Sequence, residues 1–248
     1  MKEQLQISLV VPCFNRLQQT MALLDSLDKN RYGCQIIIVD DFSTDDIEGL
    51  ISGYKSLEVV YHRNDSNKGP AFSRNVGIKL SKFDYVAFTD NDCEITDDWL
   101  INMYKSIKIS GGEIAGVGGK IIARRQDLIS LYYVYHKILD PWYYKGQFLY
   151  LTTANAIFKK QALLEVDCFD ETIKIAGGED PGLCFKLTNK GYKLLYNPDA
   201  IIIHDFQRGV VNFIKTFYRY GFGCSAQSKK YFKKIAFINN EKFAGMDN

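Results

Sequence analysis

Apolar residues in the first third of this chain alternate between two spacings. Ile7-Ser8-Leu9-Val10-Val11-Pro12 is a short β-rich run, closed by a proline that cannot continue a central ladder. Over 16–27, Leu17, Met21, Leu24 and Leu27 fall at helical intervals. Gln35-Ile36-Ile37-Ile38-Val39 is nearly continuous in apolar, β-branched residues, which predicts a strand covered on both faces. Asp40-Asp41 ends it, and Ser43-Thr44-Asp45-Asp46 offers N-caps for a helix reaching residue 54. Residues 57–61 read as a third strand, 70–80 as a helix and 85–89 as a fourth strand. Such alternation predicts an α/β fold with a doubly wound, mostly parallel sheet.

After Asp92 the pattern loosens. Residues 114–122 make a glycine-punctuated strand, 153–158 a further strand and 160–166 a helix. Residues 128–150 are crowded with Tyr, Trp and Phe, read mostly as core, with Trp142 beside Pro141 in a loop. A helix over 179–190 stops at Gly191, followed by late strands at 192–196 and 200–204. Val210, Phe213, Ile214, Phe217 and Tyr218 then form the apolar stripe of an amphipathic helix. No repeat or linker interrupts the chain. It divides by role into 1–92, 93–205 and a tail, 206–248.

Composition adds little at first: 46% hydrophobic and 24% charged residues in 248 describe an ordinary globular domain. Charge distribution adds more. The net charge is +2, yet from Phe206 onward eight Lys/Arg face only two acids. A basic, aromatic tail fits an anionic membrane surface, a lipid-linked substrate or a partner protein, and reads equally as a helical cap with solvated lysines. No apolar run is long enough to span a bilayer, and Met1-Lys2-Glu3-Gln4 lacks a signal-peptide core. Six scattered cysteines without metal-ligand spacing read as small hydrophobes of a reducing compartment. The expected location is therefore cytoplasmic, with peripheral contact at the inner membrane face through 206–248.

Candidate chemistry lies at the ends of the predicted strands, where open α/β sheets bind ligands. Asp90-Asn91-Asp92 presents two carboxylates that suit a hard divalent cation, or simply a solvated turn. Asp41 can accept a uracil imide N–H or a ribose hydroxyl, or cap the next helix. Gly69-Pro70 opens a helix whose free N–H groups favour anions, with Lys68 and Arg74 adding charge. Neither a P-loop nor a Gly-x-Gly-x-x-Gly turn is present, which lowers nucleoside triphosphatases and dinucleotide enzymes in rank. Gly177-Gly178-Glu179-Asp180-Pro181 places two carboxylates in a first helical turn, behind glycines that allow close approach of a ligand. His204 ends an apolar run, where a neutral imidazole would complete a metal site and tilt it toward Mn²⁺ over Mg²⁺.

In order along the chain, these segments resemble the inverting GT-A glycosyltransferases of the large family 2 type, which includes cellulose, hyaluronan and chondroitin synthases. Val10-Val11-Pro12-Cys13-Phe14-Asn15-Arg16 is similar to that group's opening strand and donor-binding turn. Ile38-Val39-Asp40-Asp41 resembles its second signature, and the segment from Gly69 to Gly77 its diphosphate-side motif. Asp90-Asn91-Asp92 resembles the metal-binding triplet, and Phe169-Asp170-Glu171 the Gly-Phe-Asp-Glu turn, with Cys168 replacing the glycine. Glu179-Asp180 corresponds to the catalytic pair, and His204 to a histidine metal ligand of some members.

The resemblance implies a nucleotide-binding half merged with an acceptor half, plus a helical extension. It implies a UDP-sugar donor held by Pro12, Asn15, Arg16, Asp41, Lys68, Gly69, Arg74, Asp90 and Asn91. Asp92 and His204 would take Mn²⁺ or Mg²⁺, Asp180 would be the general base with Glu179 orienting the acceptor, and Trp142, Asn155 and Gly178 would face that acceptor. A glycan, lipid-linked or peptide acceptor is expected, in surface glycan or glycoconjugate synthesis, and no nucleic acid. The Gln-x-x-Arg-Trp motif of processive synthases is missing after His204, which points to a non-processive member. Competing readings are a non-catalytic nucleotide-sugar-binding module and a sugar-phosphate nucleotidyltransferase.

Overall fold

The computed structural model describes residues 2–231; the predicted tail beyond Tyr231 lies outside the described residues. Among the described residues, ten strands and eight helices run in the order β1 (Glu3–Cys13), α1 (Leu17–Lys29), β2 (Tyr32–Asp40), α2 (Ile47–Ser52), β3 (Val59–Arg63), α3 (Pro70–Leu80) and β4 (Tyr85–Phe88). β5 (Cys93–Ile95), α4 (Trp99–Ile109), β6 (Ile114–Ala123), α5 (Leu128–Tyr135), β7 (Trp142–Tyr144) and β8 (Gln147–Tyr150) follow. The rest are β9 (Ala156–Lys159), α6 (Lys160–Glu165), α7 (Glu179–Asn189), β10 (Lys193–His204) and α8 (Val210–Tyr231).

Eight strands form one sheet in the order β3-β2-β1-β4-β9-β6-β10-β5, and β7 and β8 form a hairpin. The continuous apolar runs make this sheet central. Side chains alternate across it, so Leu9, Val11, Ile36 and Ile38 enter one core with α1 and α4, while Val10, Ile37 and Val39 enter the other with α3, α6 and α7. Both layers exclude water, which is why the runs lack polar alternation.

The sheet is mixed. β9 runs antiparallel to both β4 and β6, and β5 antiparallel to β10. Parallel pairing of β1 with β2 and β4, and of β6 with β10, brings the carboxyl ends of those strands to one edge. The reversed strands bring their amino ends there too: Ala156 lies opposite Phe88, and Cys93 opposite His204. Every acidic segment singled out from strand ends therefore reaches the same edge.

Several elements differ from the sequence expectation. The two late strands are one long β10, whose register shifts between Asn197 and Ile201. The strand expected from 153 begins at Ala156, because Thr153–Asn155 form a 3-10 turn. Trp142 opens β7 rather than lying in a loop. α4 was not anticipated, although Trp99, Leu100, Met103 and Ile107 mark its buried face. Among the aromatics of 128–150, Tyr133 is buried, whereas Tyr132, Tyr135 and Tyr143 are exposed. The expectation of core fails there, since α5 and the hairpin cover the sheet from outside and keep one face free.

Candidate active site

Polar residues at this sheet edge line a cavity of about 1090 Å³. One wall is the turn after β1. Asn15 and Arg16 both adopt left-handed backbone conformations, φ 57° and 64°, which turn the chain sharply into α1. Asn15 Oδ1 accepts the Thr44 N–H at 2.8 Å, and the Asn91 amide donates to the Asn15 carbonyl at 3.0 Å and the Thr20 hydroxyl at 3.0 Å. These two asparagines hold the turn.

Asp41 is 4% exposed. Its oxygens accept the Lys68 N–H at 2.9 Å, the Gly69 N–H at 2.8 Å and the Asn64 amide at 2.8 Å. It shapes the loop before α3 rather than capping α2, whose cap is Asp46. Gly69 has φ 90°, and a Cβ there would lie 2.2 Å from the Lys174 carbonyl oxygen, so only glycine fits.

Asp92 lies beneath the lining, touching Arg16 and His204, which both reach the cavity. Arg16 donates to Asp92 Oδ2. Asp92 Oδ1 is buried without a hydrogen-bond partner, 3.6 Å from His204 Nε2, and His204 Nδ1 is equally unpaired. The Asp205 N–H donates to the Asp92 carbonyl at 2.8 Å, and the His204 ring stacks on Phe206, fixing the pair. A buried carboxylate oxygen next to an unpaired imidazole fits a divalent cation of the oxygen- and nitrogen-binding kind. Cys93 Sγ lies within 4.8 Å of both ligand atoms, a neighbour that sequence reasoning missed. Burial, reinforced by Asp92 and Asp90, holds its thiol protonated well above the usual range.

Opposite, Gly178 with φ 104° starts α7 and sets Glu179 and Asp180 in its first turn. Asp180 accepts the Thr153 N–H at 3.0 Å and the Thr153 hydroxyl at 2.6 Å. Glu179 accepts the Gly177 N–H at 2.6 Å and Arg74 at 3.0 Å. Arg74, only 4% exposed, also donates to Asp90 at 2.8 Å and lies 3.8 Å from Asp180. Burial opposes its charge, but Asp90, Asp180 and Glu179 together outweigh that and raise its pKa. Asp180 moves up to about 7, driven by burial and then by Glu179, with Arg74 opposing. Four carboxylates (Asp90, Asp92, Glu179, Asp180) thus meet two guanidinium groups, a local excess of acidic groups that suits a cation.

The family model described as Glycosyl transferase family 2 matches residues 8–171, about two thirds of the chain. The chain belongs to this family. A Mycobacterium tuberculosis protein named pre-mycofactocin glycosyltransferase is 29% identical over 224 residues, covering 86% of this chain and 46% of that protein. A poly(ribitol-phosphate) beta-glucosyltransferase of Bacillus spizizenii is 33% identical over 129 residues, covering 47% and 20% respectively. This chain spans about half the length of the first of these relatives, or less. Among solved structures, a Pyrobaculum calidifontis mannosyltransferase in complex with GDP-Man and Mn²⁺ superposes with TM-score 0.67 at 16% identity, over 87% of this chain and 62% of that one. Staphylococcus aureus TarS 1-349 in complex with UDP-GlcNAc does so with TM-score 0.63 at 20% identity, over 86% and 61%. These likenesses show a GT-A fold.

Within this family 2 domain, the expected residues divide. Pro12, Asn15, Arg16, Asp41, Gly69, Arg74, Asp90, Asn91, Trp142, Gly178, Glu179, Asp180 and His204 line the cavity. Lys68 does not; it pairs with Asp65 at 2.7 Å and lies over the Phe72 ring. Nor does Asn155, which is 1% exposed, accepts the Trp99 indole N–H at 2.7 Å and donates to the Lys120 and Ala200 carbonyls. It ties strands together, so the acceptor assignment is withdrawn. The Gly177-Gly178 pair gives close access to α8: a Cβ on Gly178 would lie 2.5 Å from the Gly223 carbonyl carbon. Consequently α8 is part of the site, contributing Arg219 and Tyr220 to the cavity. Sequence reasoning also missed Thr153, which orients Asp180. A lone threonine carries no signal.

Proposed function

We propose that this family 2 domain transfers a sugar from a nucleotide diphosphate to an acceptor hydroxyl, with inversion at the anomeric carbon. One observation carries the reading: Asp180 and the Asp92–His204 pair meet at one cavity, connected through Arg74 and Asp90. The donor's base would lie near Pro12 and Asp41. Three of the four lone-pair directions on the Asp41 carboxylate are used, leaving one for a ring N–H of the base, as uracil, thymine and guanine each offer. The GDP-Man and UDP-GlcNAc complexes of the two structural neighbours support a nucleotide-sugar donor.

Asp92 and His204 are the residues that would hold Mn²⁺ or Mg²⁺. When bound, that cation supplies positive charge to the departing diphosphate. Asp180 takes the proton of the acceptor hydroxyl, whose oxygen forms the new bond to the anomeric carbon while the bond to the diphosphate breaks. The electron pair leaves with the diphosphate, and one displacement inverts the centre. Thr153 aims Asp180, whereas both Glu179 oxygens are committed to Arg74 and the Gly177 N–H. Glu179 therefore positions the pair rather than contacting the acceptor directly. Trp142 and the α8 residues Arg219 and Tyr220 border the space left for a glycan, lipid-linked or peptide acceptor, as in surface glycan synthesis.

Thermal unfolding with UDP-, GDP- and dTDP-sugars, with and without Mn²⁺, tests this. UDP-sugars with Mn²⁺ should raise the midpoint most, and Asp92→Ala should abolish the Mn²⁺-dependent part. Equal stabilisation without the cation, or none from any nucleotide sugar, would overturn the proposal.

A further inference from the structure

The apolar side chains of α5 and α8 face two ways. Tyr132 and Tyr133 pack against Phe213 and Phe217, with ring centroids 5.1–6.1 Å apart, and this seam joins the two helices. Among the described residues, the outer faces are uncovered. On α8, Val210, Ile214, Tyr218 and Phe222 recur every four residues and are 68%, 61%, 72% and 57% exposed. At 1.5 Å per residue they form a stripe about 18 Å long. On α5, Leu128, Leu131 and Tyr135 add exposures of 83%, 51% and 82%. Half of the exposed large hydrophobic side chains among the described residues lie on these two helices. No helix among those residues is long and apolar enough to cross a membrane.

Charge narrows the occupant. Residues 128–139 and 206–231 contain no Asp or Glu, and Lys137, Arg208 and Lys215 are exposed beside the apolar stripe. A second copy meeting the same face would oppose cation to cation, which disfavours self-association. An apolar stripe on helices that carry cations and no acids matches the interfacial zone of an anionic bilayer, the nearest acids, Asp127, Asp140 and Asp205, lying beyond the helix ends. The face also runs into the site. Residues 137–139, following α5, and Arg219 and Tyr220 on α8 all line the cavity.

We propose that the α5–α8 face docks onto an anionic lipid bilayer and turns the cavity mouth toward the headgroups, so that the acceptor hydroxyl is presented on a lipid. This rests on the transferase reading for its consequence but not for its binding test. The test is co-sedimentation of the full chain with phosphatidylcholine vesicles containing 30% phosphatidylglycerol, against vesicles of phosphatidylcholine alone. The full chain should bind the anionic vesicles, more weakly as salt rises, with binding at least tenfold lower for Ile214→Glu/Tyr218→Glu. Lys215→Gln should weaken it by about fivefold, the share of one surface cation. Leu128→Ser, on the other helix, should also weaken binding and guards against misfolding of α8.

Equal binding by Ile214→Glu/Tyr218→Glu, equal binding to neutral vesicles, or no binding at all would overturn the proposal. So would a solution dimer that the same double variant disperses, or loss of binding only in variants that have lost nucleotide-sugar stabilisation. Vesicle binding without any nucleotide-sugar response would instead sink the transferase reading and leave the docking face standing.

Discussion

The two ends of the cavity are built on opposite principles. At the donor end, carboxylates are mostly supplied by nearby donors: Asp40 takes the Ser43 N–H at 2.8 Å, the Tyr61 hydroxyl at 2.8 Å and Arg63, and Asp41 takes two loop N–H groups and the Asn64 amide, with one direction left for the base. At the catalytic end, Asp90, Glu179 and Asp180 share one buried guanidinium, and Asp92 Oδ1 and His204 Nδ1 have no hydrogen-bond partner. A saturated carboxylate fixes backbone shape; an undersupplied one keeps its charge for what binds. The donor end is thus a preset mould, and the catalytic end is left electrostatically incomplete.

The sharpest way to break this contrast is Asp180→Asn. It should lower transfer by about a thousandfold, in the range for loss of a general base, while UDP affinity stays within about twofold. Unchanged turnover would remove Asp180 from the chemistry. Because its folded-state pKa is raised to about 7, the base is protonated, and inactive, below that value. Wild-type turnover should therefore climb about tenfold per pH unit below 7 and level off above it, and Asp180→Asn should lose that slope. A flat profile from pH 5 to 8 would contradict the assignment.

Arg74→Met should cost about 3–5 kcal/mol of stability in denaturant titration, since it strands buried carboxylates. A loss below about 1 kcal/mol would mean that those groups are not dependent on Arg74. Asn155→Ala is the smaller test, separating structural from acceptor residues. Removing the partner of the Trp99 indole should cost about 1–3 kcal/mol, while acceptor KM in the surviving folded enzyme stays unchanged. A selective rise in acceptor KM would restore Asn155 to the site.

Legibility follows the same division. The positions of Asp41, Gly69 and Asp92 at the end of a strand or the start of a helix were readable, because such signals are local. Lys68 misled: a cation near a helix start pairs as readily with Asp65 and Phe72 as with a ligand. Asn155 lies in a segment read as a strand, and its partners Trp99, Lys120 and Ala200 come from three distant segments. Gly177 and Gly178 read as leaving room for a ligand, whereas what approaches them is the α8 backbone at Gly223.

What the amino-acid order alone determined was the strand–helix alternation, the buried two-faced strands and the placing of acidic groups at strand ends, because each follows from hydrophobic period and turn chemistry over a few residues. Tertiary structure decided the antiparallel insertion of β9, the sharing of Arg74 among three carboxylates, the pairing of Asp92 with His204, and the folding of α8 across the site. Those depend on contacts between residues up to about a hundred positions apart, where sheet order, rather than sequence neighbourhood, sets the distance.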